Sequence, residues 1–146
     1  MTDIMSPETR SRVMSRIRGS NTGPERALRS ALHMRGLRFR KNLKSLPGTP
    51  DVVFVSAQVA VFVDGDFWHG WRFGDWEAQL QPRWAEKIRV NIARDRRVEM
   101  QLRRLGWRVI RVWEHDIEFR LERVTSIIEH TVRRRAARPL KATSST

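Results

Sequence analysis

Cysteine is absent from the 146 residues of the chain, and acidic residues, lysine and long apolar runs are scarce. Without cysteine there is no disulfide framework and no thiolate metal site, which excludes the disulfide-rich secreted class. No apolar run approaches the roughly 20 residues that a transmembrane helix needs. Residues 1–18 alternate polar and charged side chains and lack the apolar core of a secretory signal. We therefore expect one soluble domain located in the cytoplasm.

Basic residues outnumber acidic ones by 29 to 16, which gives a formal net charge of +13, and only 4 of the 29 are lysine. Arginine makes planar, bidentate contacts with phosphates and base edges, whereas lysine is a point charge, so this composition favours nucleic-acid binding. Two alternatives stay open at this point. One is a merely basic surface, and the other is an arginine bias caused by high genomic GC content.

The charge is unevenly distributed along the chain. Residues 1–44 carry +8, residues 45–82 carry −4 and residues 83–146 carry +9. A phosphodiester nuclease needs this combination, because carboxylates hold a divalent metal at the scissile phosphate while surrounding cations bind the rest of the polyanion. A plain DNA-binding module has no use for the acidic centre.

Capping residues, glycines and apolar periodicity predict the secondary structure. A short basic helix begins at Ser6-Pro7 and ends at Gly19, and a second helix begins at the capping box Thr22–Glu25 and ends at Gly36. The remaining predicted elements are strands over 37–44, 51–55 and 58–63, a loop rich in Trp, Phe and Gly over 66–76, a long helix over 83–105, a buried strand over 107–113, and a last helix from Asp116 or Ile117 to Val132.

This order, α-α-β-β-β-α-β-α, indicates the α/β class, with a mixed central sheet flanked by helices. We divide the chain into a basic N-terminal arm or helix over residues 1–20, a catalytic domain over residues 21–132 and a basic tail over residues 133–146. We expect the tail to be disordered, with an accessory DNA contact as the less favoured alternative.

Two acidic motifs lie at predicted strand ends. Pro50-Asp51 opens a strand after a loop rich in Gly and Pro, which places a carboxylate where a metal and a phosphate can approach. Taken alone, this dipeptide is more typical of a turn aspartate. The segment Val63–Gly70, Val-Asp-Gly-Asp-Phe-Trp-His-Gly, follows the next strand and is far from random.

Together these motifs resemble the very-short-patch repair (Vsr) endonuclease family, whose members nick DNA at T:G mismatches. The resemblance covers about residues 5–132 and rests on Pro50-Asp51, the stretch Val61–Gly70, Trp84-x-x-Lys87 with Asn91 and Asp95-Arg96-Arg97, and Gly106–Glu114. It implies a restriction-endonuclease-like fold, Mg²⁺-dependent hydrolysis of one strand 5′ to the mispaired thymine, and a role in the repair of deaminated 5-methylcytosine.

The resemblance assigns roles to four side chains and one main-chain group. Asp51 matches the metal-binding aspartate, and Val63 occupies the position whose backbone carbonyl binds the metal. His69 matches the catalytic histidine, Glu25 the helix glutamate that holds water at the metal, and Asp95 the aspartate paired with the histidine. An acidic neighbour such as Asp95 raises the pKa of a histidine, which favours a general acid or a phosphate-stabilising cation over a base.

Each of these side chains also has a structural interpretation. Glu25 is the N3 residue of a capping box, and Asp95 could be the ion-pair partner of a neighbouring arginine on the helix surface. Asp64 and Asp66 could be solvated turn residues, and His69 could be a packed loop histidine.

Aromatic residues of the same region predict how a mismatch is recognised. In the resembled family, rings at the positions of Phe67, Trp68 and Trp84 push into the base stack beside the mismatch, and Lys87 and Asn91 belong to the same DNA-binding set. A T:G wobble pair stacks and pairs less favourably than a Watson–Crick pair, so opening that step costs less free energy. The alternative is that all three rings belong to the protein core.

One departure from the family concerns zinc. Members with a structural zinc site use cysteines and a histidine, but here the corresponding positions hold Asp66, Trp71, Phe73 and His115. Two potential ligands do not complete a tetrahedral site, so we expect aromatic packing in place of zinc and Mg²⁺ as the cofactor.

The resemblance further implies T:G-mismatched double-stranded DNA as the substrate, association with the bacterial nucleoid, and a MutL-like mismatch-repair protein and a cytosine methyltransferase as candidate partners. Two other functions stay open from the sequence. One is a homing, restriction or defence nuclease of the same fold with a different DNA target. The other is a catalytically silent DNA-binding module, which the acidic centre disfavours.

Overall fold

The structure, a computed structural model, describes residues 22–137 of the chain. The predicted basic arm over residues 1–20 and the end of the predicted tail, residues 138–146, lie outside the described residues. The elements in chain order are α1 (Gly23–Met34), β1 (Arg40–Lys41), β2 (Val52–Phe54), β3 (Val59–Asp64), α2 (Phe73–Trp76) followed by a 3₁₀ turn (Glu77–Gln79), α3 (Pro82–Arg104), β4 (Arg108–Trp113) and α4 (Glu114–Ala136).

The strands of the described region form one mixed sheet in the order β1-β2-β3-β4. The pairs β1–β2 and β2–β3 are antiparallel, whereas β3 and β4 are parallel and are connected through α3. In the parallel pair, Phe62 lies opposite Arg111 and Asp64 lies opposite Trp113. The C-terminal ends of β3 and β4 therefore meet at one edge of the sheet, where α4 begins.

Helices cover both faces of this sheet. Helices α1 and α4 pack on one face in the main core, which includes the fully buried Leu28 and Ile128. Helix α3 packs on the other face, where Leu102 lies in a second core with Ala60. Because successive side chains of a strand point to opposite faces, the even-numbered residues of β3 face α3. Asp64 is therefore directed towards α3. The molecule has the predicted α/β architecture of a restriction-endonuclease-like domain.

The residues at the helix ends adopt the capping and turn conformations that suit their types. The N–H of Glu25 donates to Thr22 Oγ1 at 3.4 Å, which caps the start of α1, and Pro occupies the first turn of both α1 and α3. After these helices the chain turns at Gly36 and Gly106, whose φ angles of 78° and 92° suit glycine. No helix within residues 22–137 has the length and apolar character needed to cross a membrane.

Two other glycines let loops approach α3 closely. Gly48, in the loop before β2, has a φ of +75°, and a Cβ there would lie 2.5 Å from Val98 Cγ1. Gly70, in the loop after β3, has a φ of +74°, and a Cβ there would lie 2.5 Å from Ile92 Cδ1. A larger residue would push either loop away from α3, so both glycines help to position the segments that carry the candidate catalytic residues.

The strands and the long loop differ from the prediction in three respects. β1 has only two residues of the predicted eight, because pairing with β2 is limited to Arg40 and Lys41. The predicted loop over 66–76 contains the short helix α2. The strand predicted as buried, β4, lies at the edge of the sheet, so only Val109 and Val112 are buried there.

Helix α4 is longer at both ends than predicted. It begins at Glu114, directly after β4, and it continues to Ala136 with a kink at Arg120, whose φ of −141° and ψ of 38° are not helical. Residues 133–136 are therefore helical, although they were assigned to the predicted disordered tail. The physical reason is that Arg135 donates to the backbone carbonyls of Ala57 at 2.9 Å and Gly106 at 2.8 Å, which ties the end of the helix to the sheet.

Candidate active site

A cleft of about 690 Å³ opens at the C-terminal ends of β3 and β4, between α3 and the loop that precedes β2. Its lining combines many charged side chains of both signs. The carboxylates are Glu25, Asp51, Asp64, Asp95 and Glu114, and the lysine and arginine side chains are Lys44, Lys87, Arg94 and Arg111. Two carboxylates of the acidic centre predicted from the charge distribution, Asp51 and Asp64, thus lie in one cleft with basic residues.

Asp51 lies just before β2 and bonds to β3 through both its backbone and its side chain. Its N–H donates to the carbonyl of Val61 at 3.0 Å, and its Oδ2 accepts from the N–H of Val63 at 2.7 Å. Carbonyls of alternate residues point to the same edge of a strand, so the Val63 carbonyl faces the side on which Asp51 lies. The two predicted metal ligands are therefore brought together.

The electrostatic environment of Asp51 suits a cation. Burial raises the pKa of Asp51 to about 7 against the effect of the Val63 N–H; the charges of Glu25 and Asp64 raise it further, and that of His69 lowers it. Near neutral pH, burial and neighbouring carboxylates thus keep this group partly protonated. A divalent cation would stabilise its charged form.

Glu25 lies at the capped start of α1 and also lines the cleft. Its N–H makes the N-cap bond to Thr22, while its side chain, in a residue only 5% exposed, lines the cleft. The Glu25 carboxylate also accepts a hydrogen bond from Arg29 at 3.4 Å within α1. The start of α1 therefore presents a buried, paired carboxylate to the cleft.

His69 is held by two carboxylates. Its Nδ1 lies 2.7 Å from Asp95 Oδ2 and 3.7 Å from Asp64 Oδ1. The bond to Asp95 joins the loop after β3 to α3, so Asp95 is not simply the partner of a surface arginine. Burial by itself would lower the pKa of His69, but the hydrogen bond to Asp95 and the charges of Asp64 and Asp95 outweigh it and raise the pKa. Because Nδ1 is engaged, proton transfer with a substrate would use Nε2.

The structure excludes the alternative interpretation of Asp64 as a solvated turn residue. Its side chain is only 4% exposed, and Arg111 Nη1 lies 3.1 Å from each of its two carboxylate oxygens. Burial raises the pKa of Asp64, although the charges of His69 and Arg111 oppose the shift. The sequence did not predict this pair. The available signal was an arginine inside an apolar strand, and the register of β3 and β4 places it on the same face as Asp64.

Asp64, His69 and Asp95 form a second group that could hold a metal, because their potential ligand atoms lie within 4.8 Å of one another. Arg111 already supplies a positive charge to this group. By contrast, the charges that raise the pKa of Asp51 are those of two carboxylates, Glu25 and Asp64. The chemistry therefore favours Asp51 and the Val63 carbonyl for a cation that prefers oxygen ligands, and the Asp64–His69–Asp95 group for holding a proton on the histidine.

Two predicted DNA-contacting residues of α3, Lys87 and Asn91, line the cleft together with Trp68. The Asn91 side chain donates to the carbonyl of Trp68 at 3.1 Å, so it fixes the backbone next to His69. Lys87 Nζ lies 4.8 Å from the centroid of the Trp68 ring. These contacts join the loop after β3 to the cleft wall formed by α3.

The three aromatic rings predicted to act on the mismatch are half-buried in a small third core. Phe67 stacks on Trp76 with centroids 5.5 Å apart, and Trp68 packs edge-on against Trp84 at 5.5 Å. Of the three rings, only Trp68 belongs to the lining of the cleft. Its buried Nε1–H has no hydrogen-bond partner within the described part of the chain.

The residues at the family's zinc positions make polar contacts as well as aromatic ones. Asp66 Oδ1 lies 2.7 Å from His115 Nδ1, and the ring of Trp71 lies 4.4 Å from that of His115. Phe73 packs instead against Trp76 at 5.1 Å. Asp66 is thus engaged rather than solvated, and it ties the loop after β3 to the start of α4.

Comparison with known proteins places this cleft in a family. A family model described as "DNA mismatch endonuclease Vsr" matches residues 2–76. Among similar proteins, the type II nicking enzyme V.XorIIP of Xanthomonas oryzae is 48% identical over 119 residues, which are 80% of this chain and 88% of that protein. The type II nicking enzyme V.HpaIIP of Haemophilus parainfluenzae is 36% identical over 143 residues, 90% of this chain and 99% of that protein.

The DNA mismatch endonuclease Vsr of Escherichia coli K12 is 40% identical over 116 residues, which are 78% of this chain and 74% of that protein. The segment matched by the family model contains α1, β1, β2, β3 and the loop after β3. The chain therefore belongs to the Vsr family of DNA mismatch endonucleases.

Proposed function

We propose that this DNA endonuclease nicks one strand of a duplex 5′ to the thymine of a T:G mismatch, in a reaction that requires Mg²⁺. The observation that carries the proposal is the cleft, in which buried carboxylates and a histidine–aspartate pair lie among lysine and arginine side chains. Burying carboxylates costs free energy, and a catalytically silent DNA-binding module would gain nothing from it.

Different residues of the cleft have separate roles in the proposed hydrolysis. Asp51 and the Val63 carbonyl would hold Mg²⁺, which when bound supplies Lewis-acid charge at the scissile phosphate. Glu25 orients the attacking water from the side of α1. His69, held through Nδ1 by Asp95, donates a proton from Nε2 to the leaving oxygen or stabilises the phosphate as a cation.

Mismatch recognition would use the aromatic loop after β3. Trp68 lines the cleft and packs on Trp84, and Phe67 packs edge-on against Trp68 with centroids 4.8 Å apart. Rings that leave this cluster on binding can stack on exposed bases, at roughly 1–3 kcal/mol per base. Because a T:G step opens at lower cost than a matched step, the same rings discriminate between the two.

The main alternative is a nuclease of the same fold with another DNA target, because the same catalytic residues would serve it. This alternative is supported by relatives that are described as type II nicking enzymes, without mention of a mismatch. A MutL-like protein and a cytosine methyltransferase stay predicted partners.

The test is strand-specific cleavage of three duplexes of one sequence that differ at a single pair: T:G, T:A and 5-methylcytosine:G. Each strand carries its own label, and parallel samples contain a chelator instead of Mg²⁺. We expect a single Mg²⁺-dependent nick, on the thymine strand of the T:G duplex. Equal cleavage of all three duplexes would favour the alternative nuclease. Binding without any cleavage would favour a silent module.

A further inference from the structure

Arg111 is an unusual residue for its position. It lies inside β4 between the apolar residues Ile110 and Val112, and the register places it opposite Phe62 of β3. Its guanidinium carbon lies 4.5 Å from the centroid of the Phe62 ring, and its side chain is only 21% exposed. The side chain therefore extends along the α3 face of the sheet towards the cleft.

The guanidinium connects two elements that pack against His69. Nη1 lies 3.1 Å from each carboxylate oxygen of Asp64, at the end of β3, and Nη2 donates to the backbone carbonyl of Asp95, on α3, at 3.1 Å. A planar fork with several fixed donors can make these contacts at once, which an ammonium group cannot. Arg111 thus fixes the separation between the strand end and the helix.

The two residues that Arg111 connects are also the two that face the histidine. Asp95 Oδ2 lies 2.7 Å from His69 Nδ1, and Asp64 Oδ1 lies 3.7 Å from the same nitrogen. The imidazole orientation therefore depends on where both carboxylates are held. A shift of either element would move the acceptor on which the ring orientation relies.

We propose that Arg111 is a positioning residue for the nicking reaction, which holds Asp64 and the Asp95 backbone at a fixed separation and thereby orients the His69 imidazole. This inference rests on the proposed function, because it assumes that His69 acts on the scissile phosphate. Arg111 acts through its neighbours: both of its terminal nitrogens are bonded within the protein, and Phe62 covers its guanidinium.

The first experiment compares Arg111→Met and Arg111→Lys with the wild-type enzyme in single-turnover nicking of a T:G duplex. We expect the maximal rate of Arg111→Met to fall by about 10- to 100-fold, since misplacing a catalytic group by about 1 Å has an effect of this size. The enzyme concentration that gives half the maximal rate should stay within about twofold. Arg111→Lys should recover the melting temperature but not the rate, because it restores the charge without the fork.

Arg108→Met is the matched control. Arg108 is an exposed arginine at the N-terminal end of β4, outside the cleft lining. This variant therefore loses the same charge from the same strand without changing the surroundings of His69. It should keep the wild-type rate. If Arg111→Met instead weakens DNA binding and lowers the salt dependence of affinity while the maximal rate is kept, Arg111 is a phosphate contact and the proposal is overturned. Full recovery of the rate by Arg111→Lys would overturn it too.

A second variant addresses folding. Arg111→Met leaves the buried Asp64 carboxylate without its partner, which destabilises the protein. The double variant Asp64→Asn/Arg111→Met removes both charges and should melt at a higher temperature than the single variant, yet nick no faster. Recovery of the rate in the double variant would show that the unpaired charge, and not lost positioning, caused the defect.

A spectroscopic readout and a reference variant complete the design. The ¹⁵N chemical shifts of the His69 ring report its tautomer and hydrogen bonding, and we expect them to change in Arg111→Met but not in Arg108→Met. His69→Ala is assayed in parallel. If His69→Ala nicks normally, the proposed function of the site fails. If His69→Ala is inactive while Arg111→Met has the wild-type rate and unchanged His69 shifts, only the role of Arg111 fails.

Discussion

The hydrogen bond between His69 Nδ1 and Asp95 leaves Nε2 as the ring nitrogen that would act on DNA in the proposed reaction. Replacing His69 with alanine removes the proposed proton donor, and groups of this kind typically contribute about 10²- to 10⁴-fold to a rate. We therefore expect His69→Ala to reduce single-turnover nicking by a factor in this range. DNA affinity, measured by a binding assay without Mg²⁺, should change little.

The control for His69→Ala is His130→Ala, which removes an exposed histidine of α4 outside the cleft.

The pKa of His69 is raised, so its protonated form persists to higher pH than in an ordinary histidine. If the protonated ring is the active form, the nicking rate falls as pH rises through that pKa, and Asp95→Asn moves the fall to lower pH. A rate that rises over the same range would show that His69 acts as a base.

Asp51 also makes the stability of the metal-free protein depend on pH. Burial raises its folded-state pKa to about 7 from an ordinary value of 3.8, so between these pH values the folded state binds a proton that the unfolded state has released. The free energy of unfolding therefore falls as pH rises across this window. The raised pKa values of Asp64 and His69 act in the same direction. With a chelator present, we expect a lower melting temperature at pH 8 than at pH 5.

Asp51→Asn should reduce this pH dependence, because asparagine has no charge to bury and its Oδ1 can still accept from Val63. We expect the variant to melt a few degrees above the wild type at pH 8 in chelator, since each pKa unit corresponds to about 1.4 kcal/mol. The comparison variant is Asp75→Asn, at a side chain that is 66% exposed. If the melting temperature of Asp51→Asn depends on pH as that of the wild type does, burial of the Asp51 carboxyl does not raise its pKa.

Among the elements, the loop after β3 holds the largest share of the residues proposed to act on DNA. Contacts with α4 hold this loop in place. Asp66 and His115 join it to α4 by a hydrogen bond, and Trp71 packs on the His115 ring. Because these contacts need no metal, we expect the melting temperature to be unaffected by a chelator under conditions where Mg²⁺ is absent. Elemental analysis of the purified protein should find no stoichiometric zinc. Stoichiometric zinc together with a large loss of melting temperature in chelator would contradict this prediction.

The aromatic cluster of the same loop allows a test of mismatch recognition. Trp68 and Trp76 belong to one cluster, but only Trp68 lines the cleft. Either change to alanine removes a large packed ring, so both variants should be destabilised to a similar extent. We expect Trp68→Ala, and also Phe67→Ala, to narrow the ratio of T:G to T:A cleavage, whereas Trp76→Ala should keep it. A folded Trp68→Ala enzyme with full discrimination would show that this ring does not act on the mismatch.

The extent to which the sequence predicted these elements depends on whether the signal was local. A capping box and Gly36 predicted α1, an apolar stripe that ends before Gly106 predicted α3, and β-branched runs predicted β2 and β3, because these signals lie within or next to the element. The extension of α4 to Ala136 depends on contacts between Arg135 and distant carbonyls, which no local pattern reports. The Asp64–Arg111 pair was missed for the same reason: its partners are 47 residues apart, and only the parallel register brings them together.

For the molecule as a whole, the fold brings residues from the acidic and the basic segments of the chain to one cleft. The acidic middle segment supplies Asp51 and Asp64 to the cleft, while the basic flanking segments supply Lys44, Lys87 and Arg94 to its lining. Cations of this kind bind phosphates without selecting a sequence, and they make affinity depend on salt. DNA binding is therefore distributed over many side chains, whereas the proposed chemistry depends on a few buried ones.

That separation gives the most direct test of the account, which is the single-turnover nicking rate of Asp51→Asn on a T:G duplex in Mg²⁺, with DNA affinity measured on the same protein. We expect a loss of at least about 100-fold in rate, because the proposed metal ligand is weakened, with affinity within a few-fold of the wild type. A melting temperature well above the assay temperature, measured on the same variant in Mg²⁺, would exclude unfolding as the cause. Wild-type nicking by Asp51→Asn would contradict the assignment of this cleft as the active site.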